Sequence, residues 1–410
     1  MQKLKQKPKK EFVQISVNRF FLYLFILALL SNCSFEKKDV IDKDLDAKNI
    51  FEKNEPIEKE FNSNFKIKLK KLTKGKPFIR NNSNNSGNIN FESEFNKTTS
   101  YKFSAIENFE SYQADLIFSD DQSIIYFDGK GSIFKLDQNL KEVWKVNYYS
   151  KKEKKLKPIL YFEQNGKSLL VTDTLSKFYS INIINGELIW SKDSKSPFNS
   201  NIKIFKNRFM AADFDNVIRC FSIKDGKELW KFKAENSFIK SQKKLSLVLK
   251  GEVIYFINNL GDVTALNVND GSLVWQTPTQ SSLIYQNAFS LENSDLVFAN
   301  NSIYFSNNKN EIFSIDARTG IVNWKQKLNS NLRPTIIENL LFSVSNEGYL
   351  FVIEIETGNI IRITNASKDD EIEPIGFVIA RNRIYLSVKN GSIIKIDVEK
   401  GIQEKTIKLA

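Results

Sequence analysis

The decapeptide IDARTGIVNW, residues Ile315 to Trp324, contains the pattern that decides the fold of this chain. A run of alternating apolar and polar residues ends in a polar turn, glycine follows, and tryptophan stands four positions after the glycine. The segment LNVNDGSLVW, residues Leu266 to Trp275, has the same frame. Alternation with a period of two predicts a β-strand, and the polar turn predicts a hairpin into a following strand.

Seven copies of this frame occur between about residue 100 and the C-terminus, at intervals of 38 to 49 residues. A period of about 40 to 50 residues is typical of the blades of a β-propeller. All five tryptophans of the chain occupy the same position of the frame. The glycine position is held by Leu140, Gly186, Gly226, Gly271, Gly320, Gly358 and Gly401, and the tryptophan position by Trp144, Trp190, Trp230, Trp275, Trp324, Arg362 and Lys405.

A second apolar run precedes each frame by about fifteen residues, as in SIIYF, EVIYFI and RIYLS. Each module therefore predicts three or four short antiparallel strands. One such sheet cannot bury both of its faces, so the modules must stack around a ring. We expect an all-β propeller of four-stranded blades with seven countable modules, or eight if residues Asn88 to Phe109 build a degenerate blade with the C-terminus.

The repeated glycines and tryptophans are expected to be structural. A turn with positive φ favours glycine, and a large flat ring on the outer strand can fill the wedge between two blades. We expect the inter-blade contacts to be made by Trp144, Trp190, Trp230, Trp275, Trp324, Gly186, Gly226, Gly271 and Gly320.

The first 32 residues are typical of an export signal. Six basic residues and one acidic residue precede an unbroken run of eleven apolar residues, Phe20 to Leu30, and Cys33 follows shortly after. The run is shorter than the roughly 20 residues that a membrane-spanning helix needs, which disfavours the alternative of an uncleaved anchor. Residues 1–32 are therefore predicted to be a signal peptide.

Residues 33–99 have low apolar density, with charge runs and the Asn/Ser cluster NNSNNSGN at Asn81 to Asn88. Such a composition predicts a solvated tether. Within it, NFKIKLKK at Asn64 to Lys71 alternates lysine with apolar residues, so a strand or a contact with anionic lipid is an alternative. Residues 100–410 are predicted to be the propeller.

Composition excludes several classes of function. The chain contains no histidine, which removes histidine-based triads, metal sites and pH switches. The two cysteines, Cys33 and Cys220, are too few for a disulfide scaffold. Of the net charge of +12, the first 32 residues hold +5, and the remaining +7 is spread over interspersed lysines and acids, so no nucleic-acid groove is expected.

These repeats resemble the pyrroloquinoline-quinone-like repeat family, and together with the leader they resemble the BamB lipoproteins of the outer-membrane β-barrel assembly machinery. The sequence LSNC, Leu30 to Cys33, resembles a lipobox with Asn32 where glycine, alanine or serine is usual. The resemblance implies lipidation at Cys33 and a place at the periplasmic face of the outer membrane. It also implies a non-enzymatic scaffold without cofactor or metal, monomeric within a hetero-complex, which binds a BamA-like barrel protein.

Two other functions stay open at this point. The first is a quinoprotein dehydrogenase, since such enzymes share the blade sequence but carry an adjacent cysteine pair and an acidic calcium site. Cys220 has no neighbouring cysteine, and Asp213 and Asp215 are expected to be turn residues. The second is a propeller that binds the cell wall or a polysaccharide.

The expected partner surface lies in two long connections, Ala234 to Lys244 and Gln280 to Asp295. Both contain apolar side chains that a solvated loop does not need. The family resemblance implies that its partner contact lies in this part of the ring. The residues predicted to bind are Phe238, Ile239, Leu283, Tyr285 and Phe289, with Ile284 beside them.

Overall fold

The computed structural model describes residues 56–70, 85–87, 100–106, 116–235, 243–279, 292–367 and 371–408. These residues contain one short helix, α1 (Lys151–Lys154), which begins after Ser150 with a capping box between Ser150 and Glu153. Twenty-eight strands form seven antiparallel four-stranded sheets, and each sheet uses four consecutive strands. The protein is an all-β propeller of seven blades.

The strands of the blades follow in chain order. Blade 1 has β1 (Ile117–Phe118), β2 (Ile124–Phe127), β3 (Ile133–Leu136) and β4 (Glu142–Val146); blade 2 has β5 (Leu160–Asn165), β6 (Ser168–Asp173), β7 (Lys177–Asn182) and β8 (Leu188–Asp193). Blade 3 has β9 (Lys203–Phe205), β10 (Arg208–Ala212), β11 (Val217–Ser222) and β12 (Glu228–Lys233); blade 4 has β13 (Leu247–Lys250), β14 (Val253–Ile257), β15 (Val263–Asn267) and β16 (Leu273–Thr277). Blade 5 has β17 (Val297–Ala299), β18 (Ser302–Asn307), β19 (Glu311–Asp316) and β20 (Val322–Gln326); blade 6 has β21 (Thr335–Ile337), β22 (Leu340–Val344), β23 (Tyr349–Glu354) and β24 (Ile360–Asn365). Blade 7 has β25 (Pro374–Ala380), β26 (Arg383–Val388), β27 (Ser392–Asp397) and β28 (Gln403–Lys408).

The first strand of each blade lies at the inside of the ring and the fourth at the outside. The first strands of neighbouring blades approach one another, as β9 approaches β5 and β13 and β17 approaches β21. The fourth strands are mostly exposed, and β8 is the clearest case. The frame tryptophans stand on these outer strands.

A β-bulge recurs in the outer hairpin of all seven blades. In blade 3, Cys220 pairs with Trp230 while the next residue, Phe221, pairs with Glu228, so Leu229 has no partner opposite it. The pairings of the other third and fourth strands shift at the equivalent place. A bulge strengthens the local twist of a strand. It also leaves Leu229 45 % exposed in front of the buried tryptophan.

The hydrophobic core is divided among the interfaces between blades. Six apolar clusters fill the six interfaces from blades 1 and 2 to blades 6 and 7. The cluster between blades 3 and 4, for example, joins Met210 and Ile218 to Phe256 and Leu266. Within the described ranges no such cluster joins blade 7 to blade 1.

Part of the predicted tether packs against the ring. Phe61 and Ile363 of β24 exchange two backbone hydrogen bonds of 2.9 and 3.1 Å. Ile67 is 3 % exposed and belongs to the cluster between blades 6 and 7. Residues 56–70 are therefore not a solvated spacer, because apolar side chains of the alternating segment enter the core. The domain boundary at residue 100 stays a prediction.

Of the segment Asn88 to Phe109, which the sequence predicts to build a blade with the C-terminus, the structure describes residues 100–106, and these contact blade 1. The ring of Phe103 packs edge-on against Tyr126, with 5.4 Å between ring centroids, and the Gly129 amide donates to the Ser104 carbonyl. Residues 101–106 thus pack on blade 1. All four strands of blade 7 come from residues 374–408, so the described part of the segment does not close it; Phe109 lies outside the described residues.

Candidate protein-interaction face

The five frame tryptophans join consecutive blades through one repeated hydrogen bond. The indole Nε1 of Trp144 on blade 1 donates to the carbonyl of Ile183 on blade 2 at 3.1 Å. The same bond, 2.8 to 3.0 Å long, links Trp190 to Ile223, Trp230 to Val268, Trp275 to Ala317 and Trp324 to Ile355. A buried indole needs an acceptor for its N–H group, and the neighbouring blade supplies it.

Each of these tryptophans also lies against the frame glycine of the following blade. Gly271 has a φ of +74°, and a Cβ atom there would stand 2.5 Å from the ring of Trp230. Both the positive φ and the ring thus require glycine. The same arrangement places Gly186 on Trp144, Gly226 on Trp190, Gly320 on Trp275 and Gly358 on Trp324.

Arg362 takes the place of tryptophan in blade 6 and is fully buried. Its guanidinium Nη2 donates to the Val398 carbonyl of blade 7 at 2.8 Å, where the other blades use the indole. Its Nη1 donates to the carbonyls of Glu399 and Phe65 at 2.6 and 2.9 Å. An arginine can satisfy several carbonyls at once, so one side chain here joins blades 6 and 7 to the N-terminal segment.

A second repeated element lies at the opposite end of the blades from the glycine turns. We call this end the connector face; it carries the turns between second and third strands and the connections between blades. In blade 3 the Asp213 carboxylate accepts hydrogen bonds from the amides of Asp215 and Val217. The acceptors that hold the equivalent turns of blades 1 to 6 are Asp128, Asp173, Asp213, Asn258, Asn307 and Ser345.

These turn residues were missed as a group by the sequence analysis, although a signal was present. Asp, Asn or Ser occurs four residues before the beginning of the third strand region in DGKGS, DTLSK, DFDNV, NNLGD, NNKNE and SNEGY. Asp213 is also bonded to Nε of Arg219 at 3.0 Å, and burial raises the pKa of its carboxyl. Its place in the structure is that of a turn residue.

Both predicted partner loops start on the connector face and are fixed at their first ends by the turns of the blade that they leave. At the start of the first loop, the Ala234 amide donates to the Asn216 carbonyl, and the Asn216 side chain donates to the Glu235 carbonyl at 2.9 Å. Before the second loop, the Thr279 hydroxyl donates to the Gly261 carbonyl at 2.6 Å.

The other ends of the two loops return to a shared polar network. Lys243 Nζ donates to the Asn331 carbonyl at 2.7 Å, and the Asn331 side chain donates to Glu292 at 2.6 Å. Lys244 pairs with Asp295 at 3.8 Å. Burial lowers the pKa of Lys243 to about 8, while the nearby acids oppose this shift. The entries of blades 4, 5 and 6 are thereby joined on one face.

A small cleft opens between these loop ends. Its lining is polar apart from two aliphatic side chains, and it consists of Lys243, Lys244, Leu245, Ile257, Asn258, Asn259, Asn293 and Ser294. The side chains predicted to bind a partner, Phe238, Ile239, Leu283, Tyr285 and Phe289, lie outside the described residues, as do Ile284 and Cys33. The structure therefore shows that the ends of the two loops lie together on the connector face. The role of the five residues in binding a partner stays a prediction.

Among the described residues, the two candidates for a quinone site, Cys220 and Asp213, do not fit the cofactor that the repeat is named for. Cys220 is a free, buried cysteine in β11, and burial raises the pKa of its thiol to about 12. Its side chain belongs to the core between blades 3 and 4. Asp213 is occupied by two amides and Arg219. No group of three or more Cys, Asp or Glu that could hold a metal ion occurs within the described residues. No helix among them is long and apolar enough to span a membrane.

Comparison with solved structures finds the same fold. The structure of BamB from Moraxella catarrhalis superposes with a TM-score of 0.60 and 14% sequence identity, over 73% of this chain and 88% of that protein. The computationally designed Ika8 protein superposes with a TM-score of 0.55 and 16% identity, over 74% of this chain and 89% of the design. At these identities the likeness concerns the fold. A search among curated protein sequences finds no match.

Comparison with families gives a match over more than half of the chain. The family is described as outer membrane protein assembly factor BamB, and its profile matches residues 129–364. The match runs from the first blade to the outer strand of the sixth and includes all five frame tryptophans that join neighbouring blades. This chain therefore belongs to the family of the outer membrane protein assembly factor BamB.

Proposed function

We propose that this protein is a non-enzymatic scaffold subunit of the outer-membrane β-barrel assembly machinery. The observation that carries the proposal is membership of the BamB family, whose description names assembly of outer membrane proteins. In the part of the chain that the structure describes, the residues weighed for a quinone enzyme have other roles, since Cys220 is core and Asp213 is a turn residue. This arrangement favours a binding role over catalysis.

The partner surface that we propose is the connector face at blades 3 to 5. Two loops of this face carry apolar and aromatic side chains, and their ends are held by the hydrogen bonds of Asn216, Gly261 and Lys243. Fixed loop ends reduce the entropy that binding costs. Aromatic side chains presented from such loops are effective anchors for a partner groove or for an added strand. The proposed partner is a BamA-like barrel protein.

The protein is proposed to act at the periplasmic face of the outer membrane, held there by acyl chains on Cys33 and monomeric within its hetero-complex. The basic and apolar leader, residues 1–32, supports export. A serine after Cys33, rather than aspartate, supports the outer membrane as the destination.

The proposed surface is tested by replacing Phe238, Ile239, Tyr285 and Phe289 together by serine. We expect co-purification with the barrel protein to fall at least tenfold, while the melting temperature stays within about 2 °C of the wild type. The matched control replaces the exposed Leu229 and Val274 on the outer strands by serine, and it should bind normally. Retained binding in the fourfold variant would contradict the proposed surface, and unfolding would show that these side chains belong to the core.

A further inference from the structure

A short segment of the Asn/Ser cluster lies against the inner strands of three consecutive blades. The amide of Phe298 in β17 donates to the Asn85 carbonyl at 2.9 Å, and the amide of Ile336 in β21 donates to the Ser86 carbonyl at 2.8 Å. The Asn85 side chain donates to the Leu249 carbonyl in β13 at 2.8 Å. Residues 85–87 thus bind to the inner edges of blades 4, 5 and 6. This segment is separate in sequence from the two loops of the connector face.

The inner edge of a blade is suited to such pairing. A first strand has one neighbouring strand in its sheet, so alternate backbone groups point away from that neighbour and toward the middle of the ring. A segment that supplies carbonyls to these amides satisfies them without adding a strand to a sheet. The amides of Phe298 and Ile336 are satisfied in this way, by the carbonyls of two consecutive residues of a bent segment.

The surroundings of the segment require a particular residue type at two positions, Asn85 and Gly87. Asn85 is buried, and its amide group reaches a carbonyl of β13. Gly87 has a φ of +78°, and a Cβ atom there would stand 2.6 Å from the carbonyl oxygen of Pro334. No other residue fits at this place, since the obstructing atom belongs to the backbone. The site therefore distinguishes an amide side chain at one position and glycine two positions later.

This selectivity sets the register of a repetitive sequence. The cluster Asn81 to Asn88 contains the triplet Asn-Asn-Ser twice, and Gly87 follows the second copy, whereas Asn84 follows the first. The second copy satisfies the glycine position and the first does not. A stretch of low complexity thereby acquires one defined binding register.

We propose that the inner edges of β13, β17 and β21 form a binding site for peptides of the pattern Asn-x-Gly that bend at the glycine, and that Asn85 to Gly87 are its resident ligand. An outside peptide of this pattern binds by displacing the resident segment. Because that segment is tethered to the ring, its effective concentration is high, and the wild-type site is closed to dilute competitors.

The test uses a fluorescein-labelled decapeptide with the sequence of residues 81–90, NNSNNSGNIN, and the full chain with Gly87→Val. We expect the peptide to bind the variant at least tenfold more tightly than the wild type, since valine at position 87 vacates the site. A peptide with the serine and glycine at positions 86 and 87 exchanged has the same composition and should bind the variant at least tenfold more weakly. Equal binding of wild type and variant, or of both peptides, would overturn the proposal.

Hydrogen exchange provides a second readout that needs no added peptide. In Gly87→Val the amides of Phe298 and Ile336 should exchange at least tenfold faster than in the wild type, whereas the Gly320 amide, bonded within its own turn, should be unchanged. If Gly320 also loses protection, the variant is unfolded, and Asn85→Ala replaces it in both experiments. Unchanged exchange at Phe298 and Ile336 in a folded variant would contradict the site.

Discussion

The contact between a tryptophan and the glycine of the next blade explains why the two residues recur together. The ring fills the space that a Cβ atom of the glycine would need, so the pair behaves as one unit at each interface. The first frame has Leu140 in place of glycine, with a φ of +62° in a turn that is one residue shorter. In a ring of seven blades the blade before it is blade 7, whose frame has Lys405 where the others have tryptophan.

A pair of alanine variants separates backbone conformation from packing. Gly271→Ala and Gly251→Ala both place alanine at positive φ, which costs about 1 kcal/mol. Gly251 has open space around its Cβ position, whereas Gly271 meets the Trp230 ring. We expect Gly271→Ala to lower the free energy of unfolding by about 1 to 3 kcal/mol more than Gly251→Ala, as measured by denaturant titration. Equal losses of unfolding free energy in the two variants would mean that the Trp230 side chain moves aside at no measurable cost.

The buried Lys243 predicts a rise of stability at alkaline pH. Its pKa is lowered to about 8 by burial, from 10.5, despite the nearby Asp295 and Glu292. Between these two pH values the unfolded chain binds more protons than the folded chain at this group, so its contribution to the free energy of unfolding rises with pH. Below pH 8 the lysine is charged in both states, and the cost of burying the charge is constant.

Lys243→Met should remove this dependence. The variant's free energy of unfolding, minus that of the wild type, should decrease by about 1 to 3 kcal/mol between pH 8 and pH 10. The comparison with the wild type cancels the titration of other groups, and the exposed Lys231→Met controls for the loss of one positive charge. A difference that does not change with pH would show that Lys243 reaches water.

At the scale of elements, the sequence predicts long strands well and short ones poorly. The second and third strands, such as β10 and β11, are five or six residues long and alternate or are apolar throughout. Several first strands have only two or three residues, as β1 and β9 do, because inner strands meet near the ring centre. Runs of that length carry no detectable period.

The packed part of the predicted tether contains a sequence pattern that indicates packing, but the high charge of the whole tether favoured a solvated segment. In residues 64–70 the lysines are exposed, and the apolar residues between them, Ile67 and Leu69, face the ring. Such alternation is typical of a segment that packs along an edge, but the polar composition of residues 33–99 led to the prediction of a tether.

The contacts of Lys243 could not be predicted from the sequence, since its partner Asn331 is 88 positions away in the chain.

Ile67→Ser distinguishes a packed segment from a tether. Ile67 is 3 % exposed between blades 6 and 7, so we expect a loss of about 3 kcal/mol in the free energy of unfolding. Phe65→Ser, two residues earlier and 48 % exposed, should cost less than about 1 kcal/mol. Thermal or denaturant unfolding measures both. A solvated spacer would give two neutral variants.

At the scale of the whole molecule, the N-terminal chain contacts distant parts of the ring in turn. Residues 56–70 contact blades 6 and 7, residues 85–87 reach the inner edges of blades 4 to 6, and residues 101–106 pack on blade 1. The described part of the N-terminal chain thus contacts five of the seven blades and ties together parts of the ring that are distant in sequence.

The two cysteines of the chain allow anchoring and folding to be tested separately. Cys33→Ser removes the predicted acylation site, and each buried methylene of an acyl chain contributes about 0.8 kcal/mol to membrane binding. We expect the variant to leave the membrane fraction or to accumulate as a precursor, with an unchanged melting temperature, because the first described contact with the ring is made well after position 33.

Cys220→Ser should do the reverse. Its side chain is fully buried between blades 3 and 4, so a hydroxyl there costs about 1 to 3 kcal/mol of folding free energy. Fractionation of cells and thermal unfolding of the purified proteins measure the two effects. The expected pattern is crossed: Cys33→Ser changes location without changing stability, and Cys220→Ser lowers stability while the protein stays with the membrane. Membrane retention of a correctly cleaved Cys33→Ser protein would contradict the lipid anchor, because no other part of the chain is proposed to hold it there.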